Sequence, residues 1–436
     1  MNIIFISLVL VSFLTAAWRQ LTWVPAAEAV APMERLSRAV VESAGGSVEL
    51  AIGLIGVMTV FLGLMKVAEA GGLLRIIARL IRPFMKVLFP DVPADHPAIG
   101  AMILNFSANV MGLGNAATPF GIRAMQELEK LNPRSGTATN AMVLFVAINT
   151  ASITVLPTGV IALRAAAGSV NPAGILPTTL FATFCATVIT IFATRAYERL
   201  FPVRAEEGAV DRGAHEDEVA NERSDEPEPA CEQAAPEGYP LWVSLLALGL
   251  LVAAVPLTIV YGRSISPWII PALLVGFLGF GAVRKVRIYE VFVEGAKDGF
   301  QVAVKIIPYL VAILVAVGMF RASGAMEAVI GRIGSWTALV GLPPEGLLMA
   351  GMRSLSGSGA YGVLASIINN PSIGPDSYTG YLVSTLQGSS ETTFYVLAVY
   401  FGSVQIRRIR HALVAGITGD IAAVVMSVLI CRYLYG

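Results

Sequence analysis

Between Gln387 and Tyr395 the chain reads QGSSETTFY, which sets Gln387, Ser389, Ser390, Glu391, Thr392 and Thr393 inside an apolar run from Tyr378 to Gly402. About 20 apolar residues cross a bilayer, and a carboxylate at mid-depth then costs at least ~2.5 kcal/mol. Lipid offers these groups no partners, so they face protein, water or a ligand. Hydroxyls alone are accounted for as packing between helices. Glu391 is not, and it points to a polar binding site. Three other segments share this character: Asn105, Ser107, Asn109 and Asn115 interrupt the run Ala98–Phe120, and Asn149, Ser152 and Thr154 interrupt Thr137–Ile161. The third is RSLSGSGAYG, which carries Ser354, Ser356, Ser358 and Tyr361. Uncharged amides and hydroxyls of this kind suit a neutral polar solute better than a bulky anion. Glu391 and Asp420 are candidates for holding a cation or a proton, with Lys305 as counter-charge. The plainer readings are a structural pair or backbone cap for Asp420, and a snorkelling side chain for Lys305. The three cysteines and three histidines are scattered, and no phosphate loop, HExxH or GxSxG pattern occurs. Neither a cofactor, a metal nor enzyme chemistry is expected.

The elements that must position these groups are helices in a membrane. Hydrophobic residues make up 56% of the chain and charged residues 14%, against about 25% charged in soluble domains. The fold class expected is an all-α polytopic membrane protein, multi-pass in a bacterial cytoplasmic (inner) membrane. Net charge is zero, which gives no hint of a nucleic-acid partner. Asn2–Trp18 reads as a first span, since it lacks the basic start of a signal peptide. Ala31–Gly46 reads as a short amphipathic stretch, and Ser47–Val67 as the next span. Arg75, Arg79, Arg82 and Lys86 recur at helical spacing among large apolar residues, which predicts an interfacial helix, kinked or ended at Pro83. Asparagines with Gly112 and Gly114 inside an apolar run predict a broken helix or re-entrant hairpin, and RSLSGSGAYG predicts a second. Pro172–Thr194 completes a first unit, 1–199. Residues 200–238 are acidic and poor in large apolar side chains, as in a disordered linker. An extra span, 239–264, then precedes a second unit, 265–436.

The units resemble each other. Val41-Glu42-Ser43-Ala44 matches Val293-Glu294-Gly295-Ala296, and Ala70-Gly71-Gly72 matches Ala322-Ser323-Gly324. In the same order, Gly112-x-Gly114 matches Gly357-x-Gly359, and Ser152-x-Thr154 matches Ser390-x-Thr392. If the glycine-rich segments are re-entrant, an odd number of crossings separates the units and they are inverted. Most of the 30 lysines and arginines then fall on the cytoplasmic side. Full crossings would make the units parallel and divide these charges almost evenly, so the positive-inside rule favours inversion.

Longer motifs carry a family resemblance. ELAIGLIGVMTVFLGLMKVAE (49–69) and NFSANVMGLGNAATPFG (105–121) resemble spore maturation protein A. VEGAKDGFQVAVKIIPYLVAILVAVGMFRASGA (293–325) and QGSSETTFYVLAVYFGSV (387–404) resemble spore maturation protein B. The chain is similar to a fusion of the two, and the resemblance implies a nucleoside-recognition, or Gate, domain. The function expected is a transporter-like permease for a small polar solute, a nucleoside or an ion. The alternative is a non-transporting scaffold or assembly partner in envelope or spore maturation. The partners expected are the lipid bilayer and the solute, with assembly as a homo-oligomer left open.

Overall fold

A computed structural model describes residues 2–24, 30–112, 114–200, 238–325, 328 and 340–436. The side chains of Asn115 and Lys305, and the acidic segment expected as a disordered linker, lie outside the described residues. The described residues form helices and loops without strands. The first unit runs α1 (Asn2–Leu21), α2 (Pro32–Ala70), α3 (Leu73–Leu88), α4 (Pro97–Val110), α5 (Gly114–Lys130), α6 (Asn140–Thr150), α7 (Thr158–Ala166) and α8 (Leu176–Leu200). The second runs α9 (Leu241–Val283), α10 (Ile288–Ala322), α11 (Pro344–Leu355), α12 (Gly357–Ile368), α13 (Tyr378–Ser389), α14 (Thr393–Gly402) and α15 (Ala412–Tyr435).

Three expectations are corrected. The amphipathic stretch Ala31–Gly46 and the span after it are one continuous helix, α2. The border expected at 264 falls inside α9, which continues past Gly262-Arg263-Ser264 without interruption. Of the two outcomes expected at Pro83, a kink or an end, the end does not occur, since α3 runs on to Leu88. The Pro83 ring removes only one hydrogen bond, and α3 is supported along its length by packing on α4 and α9.

The order of elements repeats, and so do their contacts. α6 packs on α15 as α13 packs on α8, α5 meets α14 as α12 meets α7, and α1 meets α10 as α9 meets α2. The mates α2 and α10 pack on each other, as do α8 and α15. These self-paired contacts must lie on the pseudo-two-fold axis. Along the first, Gly63 meets Phe292, Met58 meets Gly299 and Ser43 meets Gly318. Along the second, the Tyr435 hydroxyl donates to Gly174 O at 2.8 Å, and Tyr197 and Thr418 share a hydrogen bond at 3.0 Å. Both pairs are antiparallel. An axis along the helices would leave mates parallel, so the axis lies across them and the repeats are inverted.

Two loop clamps obey the same operation. In one, Gly136 O accepts from Arg407 N and Arg408 N at 3.0 and 2.9 Å, and Arg410 Nη1 donates to Asn140 Oδ1 at 2.7 Å. In the other, the fully buried Arg164 donates to Pro375 O at 2.6 Å and to Asp376 Oδ1 at 2.9 Å, and lies over the Tyr381 ring. The first joins the α5–α6 and α14–α15 loops; the second joins their mates, the α12–α13 loop and the end of α7 with the α7–α8 loop.

By length and composition, α15 and the α8 segment Pro172–Leu200 are apolar enough to cross a membrane unaided. α6 and α7, like α13 and α14, are each about half that length, because each pair is one apolar run broken near its middle.

Candidate functional site: two broken helices and their hairpins

The breaks have local causes. Thr139 Oγ1 accepts from Met142 N at the start of α6, and Ser377 Oγ caps α13 through Gly380 N. α6 then stops before Ser152-Ile153-Thr154-Val155-Leu156-Pro157, where β-branched residues and the position before proline disfavour helix. α13 stops at Ser389, and Ser390 is fully extended. The freed backbone is paired across the repeats: Glu391 N donates to Thr150 O at 2.8 Å.

Each break also receives the hairpin of its own unit. In the first, Val155 N donates to Val110 O at 3.0 Å. Gly112 makes this approach possible: its φ is +76°, and a Cβ there would stand 2.1 Å from Leu156 O. In the second, Arg353 donates from Nη1 to Thr392 Oγ1 at 3.1 Å and from Nη2 to Ser390 O. Arg353 Nη2 also lies 3.5 Å from Glu391 Oε2. The Arg353 side chain is 8% exposed and that of Glu391 40%. The carboxylate therefore faces an accessible space, and the guanidinium backs it from within. Among the described side chains the counter-charge of Glu391 is Arg353; the side chain of Lys305, expected in that role, lies outside them.

The sequence-derived residues separate into groups. Asn109 Nδ2 donates to Asn149 Oδ1 at 2.9 Å, Asn149 Nδ2 to Phe145 O at 2.9 Å, and Asn105 Nδ2 to Ala117 O and the Tyr400 hydroxyl at 2.8 and 3.1 Å. This is a buried network that fastens α4 to α5, α6 and α14. Ser107 bonds Ile103 O within its own helix, and Ser356 Oγ caps α12 through Gly359 N, with Ser358 3.5 Å away. These serines are helix-forming groups. Ser389 is bound to Ser427 of α15 at 3.3 Å. Ser152 is buried and Thr154 half-buried along the first break, and Thr154 reaches towards Gly112. Around the second break stand Glu391, Ser390, Thr392, Gln387 and Tyr361. Asp420 lies beside Ser354, Thr393 and Arg353.

Sequence reasoning passed over Arg353 and Tyr400, and it named Thr393 only as one of the hydroxyls in the QGSSETTFY stretch. Arg353 was legible as a lone cation in an otherwise apolar GLLMAGMR run. Tyr400 carries no signal, because its hydroxyl matters only once Asn105 is placed beside it.

The Gate family model, described as nucleoside recognition, matches residues 51–167, from within α2 to the end of the first broken helix. Spore maturation protein A of Bacillus subtilis is 43% identical over 165 residues, 38% of this chain and 84% of its own length. Spore maturation protein B of the same organism is 42% identical over 167 residues, 38% of this chain and 93% of its own length. Among solved structures, CNTnw in an inward-facing substrate-bound state aligns with 98% of this chain and 90% of its own, at 14% identity and a TM-score of 0.44. The chain is a membrane protein, and it belongs to the family of spore maturation proteins A and B.

Proposed function

We propose that this protein is a multi-pass permease of the cytoplasmic membrane, moving a small, polar, uncharged solute through the space that Glu391 faces. The observation that carries this reading is the hydrogen bond between the two broken helices at Thr150 and Glu391, with the Arg353–Glu391 pair behind it. Inverted units whose discontinuous helices meet inside the bundle are the arrangement by which secondary transporters build a site. Glu391 accepts from a solute hydroxyl or amine, and Gln387 and Tyr361 supply further polar contacts on the same side. Arg353, whose Nη1 and Nη2 are engaged by Thr392, Ser390 and Glu391, fixes the carboxylate and balances its charge. A nucleoside fits this pattern of donors, and the Gate model's description supports that choice.

The test is uptake into proteoliposomes across labelled nucleosides, with sugars and amino acids as comparators. Glu391→Gln is expected to keep expression and a cooperatively folded state while uptake falls at least tenfold. Normal uptake by a well-folded Glu391→Gln protein, or none by the parent for any solute, would sink the reading. The scaffold alternative expects the second result.

A further inference from the structure

Behind the Arg353–Glu391 pair, α15 brings a second carboxylate into the bundle. Asp420 is 8% exposed, and neither of its oxygens accepts a hydrogen bond among the described residues. The groups nearest it are the hydroxyls of Ser354 and Thr393 and the guanidinium of Arg353. Arg353 is committed elsewhere, to Glu391, Thr392 and Ser390. Arg353 and Glu391 cancel, which leaves one negative charge without an ion-pair partner of its own among the described residues. Thr393 Oγ1 is fully buried and likewise without a hydrogen-bond partner. α15 is cut away beside it: a Cβ on Gly416 would lie 2.7 Å from Thr393 Cγ2. A buried, uncompensated carboxylate is strongly destabilising, and it is relieved either by a proton or by a cation held among these oxygens.

We propose that Asp420, Thr393 and Ser354 form a binding site for a dehydrated monovalent cation, of which sodium is the probe. Hard oxygen ligands select a hard cation. A single uncompensated charge next to an arginine selects a monovalent ion over a divalent one. The site deepens the permease reading by naming a coupling ion, yet cation binding can be measured whether or not any solute is moved.

The experiment uses the full chain in detergent at fixed pH, with thermal unfolding followed in sodium chloride and in choline chloride of equal ionic strength. A ligand that binds only the folded state raises the midpoint saturably. Sodium is expected to do so in the parent, and choline is not. Asp420→Asn is expected to lose the sodium increment and, in choline, to melt above the parent, because the unpaired charge is gone. A carboxylate with a merely structural role would make that variant less stable in both salts. Thr393→Val, which keeps shape and removes one ligand, is expected to need at least tenfold more sodium for half its effect, and it decides the matter if Asp420→Asn does not fold. Glu391→Gln is expected to abolish the sodium increment although Glu391 is no ligand, since Arg353 is then free to neutralise Asp420. Coincident sodium and choline curves in the parent would overturn the site, as would a sodium increment that survives Asp420→Asn. A parent whose stability responds to pH but not to sodium would overturn it as well, in favour of a proton.

Discussion

At the scale of single residues, the buried polar groups fall into a network between helices and a set around the breaks, and substitutions separate them. Asn149 accepts from Asn109 and from the Tyr400 hydroxyl. Replacing it with alanine leaves the Asn109 amide buried and unpaired, and is expected to cost about 1–3 kcal/mol, read as a lower thermal midpoint. Tyr400→Phe combined with it is expected to cost less than the sum of the two, because they share one network. His411 lies in the loop before α15, and burial, with Arg410 adjacent, lowers its pKa to about 4. The unfolded chain therefore takes up a proton at higher pH than the folded one. The contribution of His411 is intact above about pH 6.5 and is lost as pH falls towards 4. His411→Gln is expected to flatten the acid side of the thermal-stability profile across that window and leave the profile above it unchanged.

At the scale of elements, the hairpins were legible and their partners were not. Asparagine, glycine and clustered hydroxyls inside apolar runs are anomalies that composition exposes. They marked both hairpins, whereas Thr137–Ile161 and Tyr378–Gly402, expected as spans with polar groups inside, are each broken into two helices. Arg353 sits in the same run as those serines, but its partner Glu391 lies on another element, and pairing of that kind is a property of three dimensions. The split expected within α9 failed for a related reason. Gly262-Arg263-Ser264 resembles a loop in isolation, and local preference is a weak guide to helix continuity. The hairpin-to-break contact gives an element-scale test. Gly112→Ala combines an unfavourable φ with a Cβ that would strike Leu156 O. It is expected to destabilise by about 2 kcal/mol or more and to expose the Val155 amide to hydrogen exchange. Gly136→Ala, where φ is +80° but nothing stands near the added carbon, is expected to pay only the backbone penalty.

At the scale of the whole molecule, mates pack on mates, so neither unit covers its own α2- or α8-type face. Residues 1–200 and 238–436 co-expressed as separate chains are therefore expected to co-purify as a one-to-one complex. Either expressed alone is expected to aggregate or be degraded; recovery of a stable, folded single unit would contradict the interleaved packing described above. The two loop clamps carry a different consequence. In a molecule with identical halves, every conformation and its image under the two-fold would be degenerate in energy. Here one clamp is a backbone pairing around Gly136, and its mate is a buried guanidinium held by Pro375 and Asp376. If the proposed permease alternates between its two faces, closing one and closing the other are thus different chemical events. The degeneracy is then lifted, and the preference for one resting side is written in two short loops.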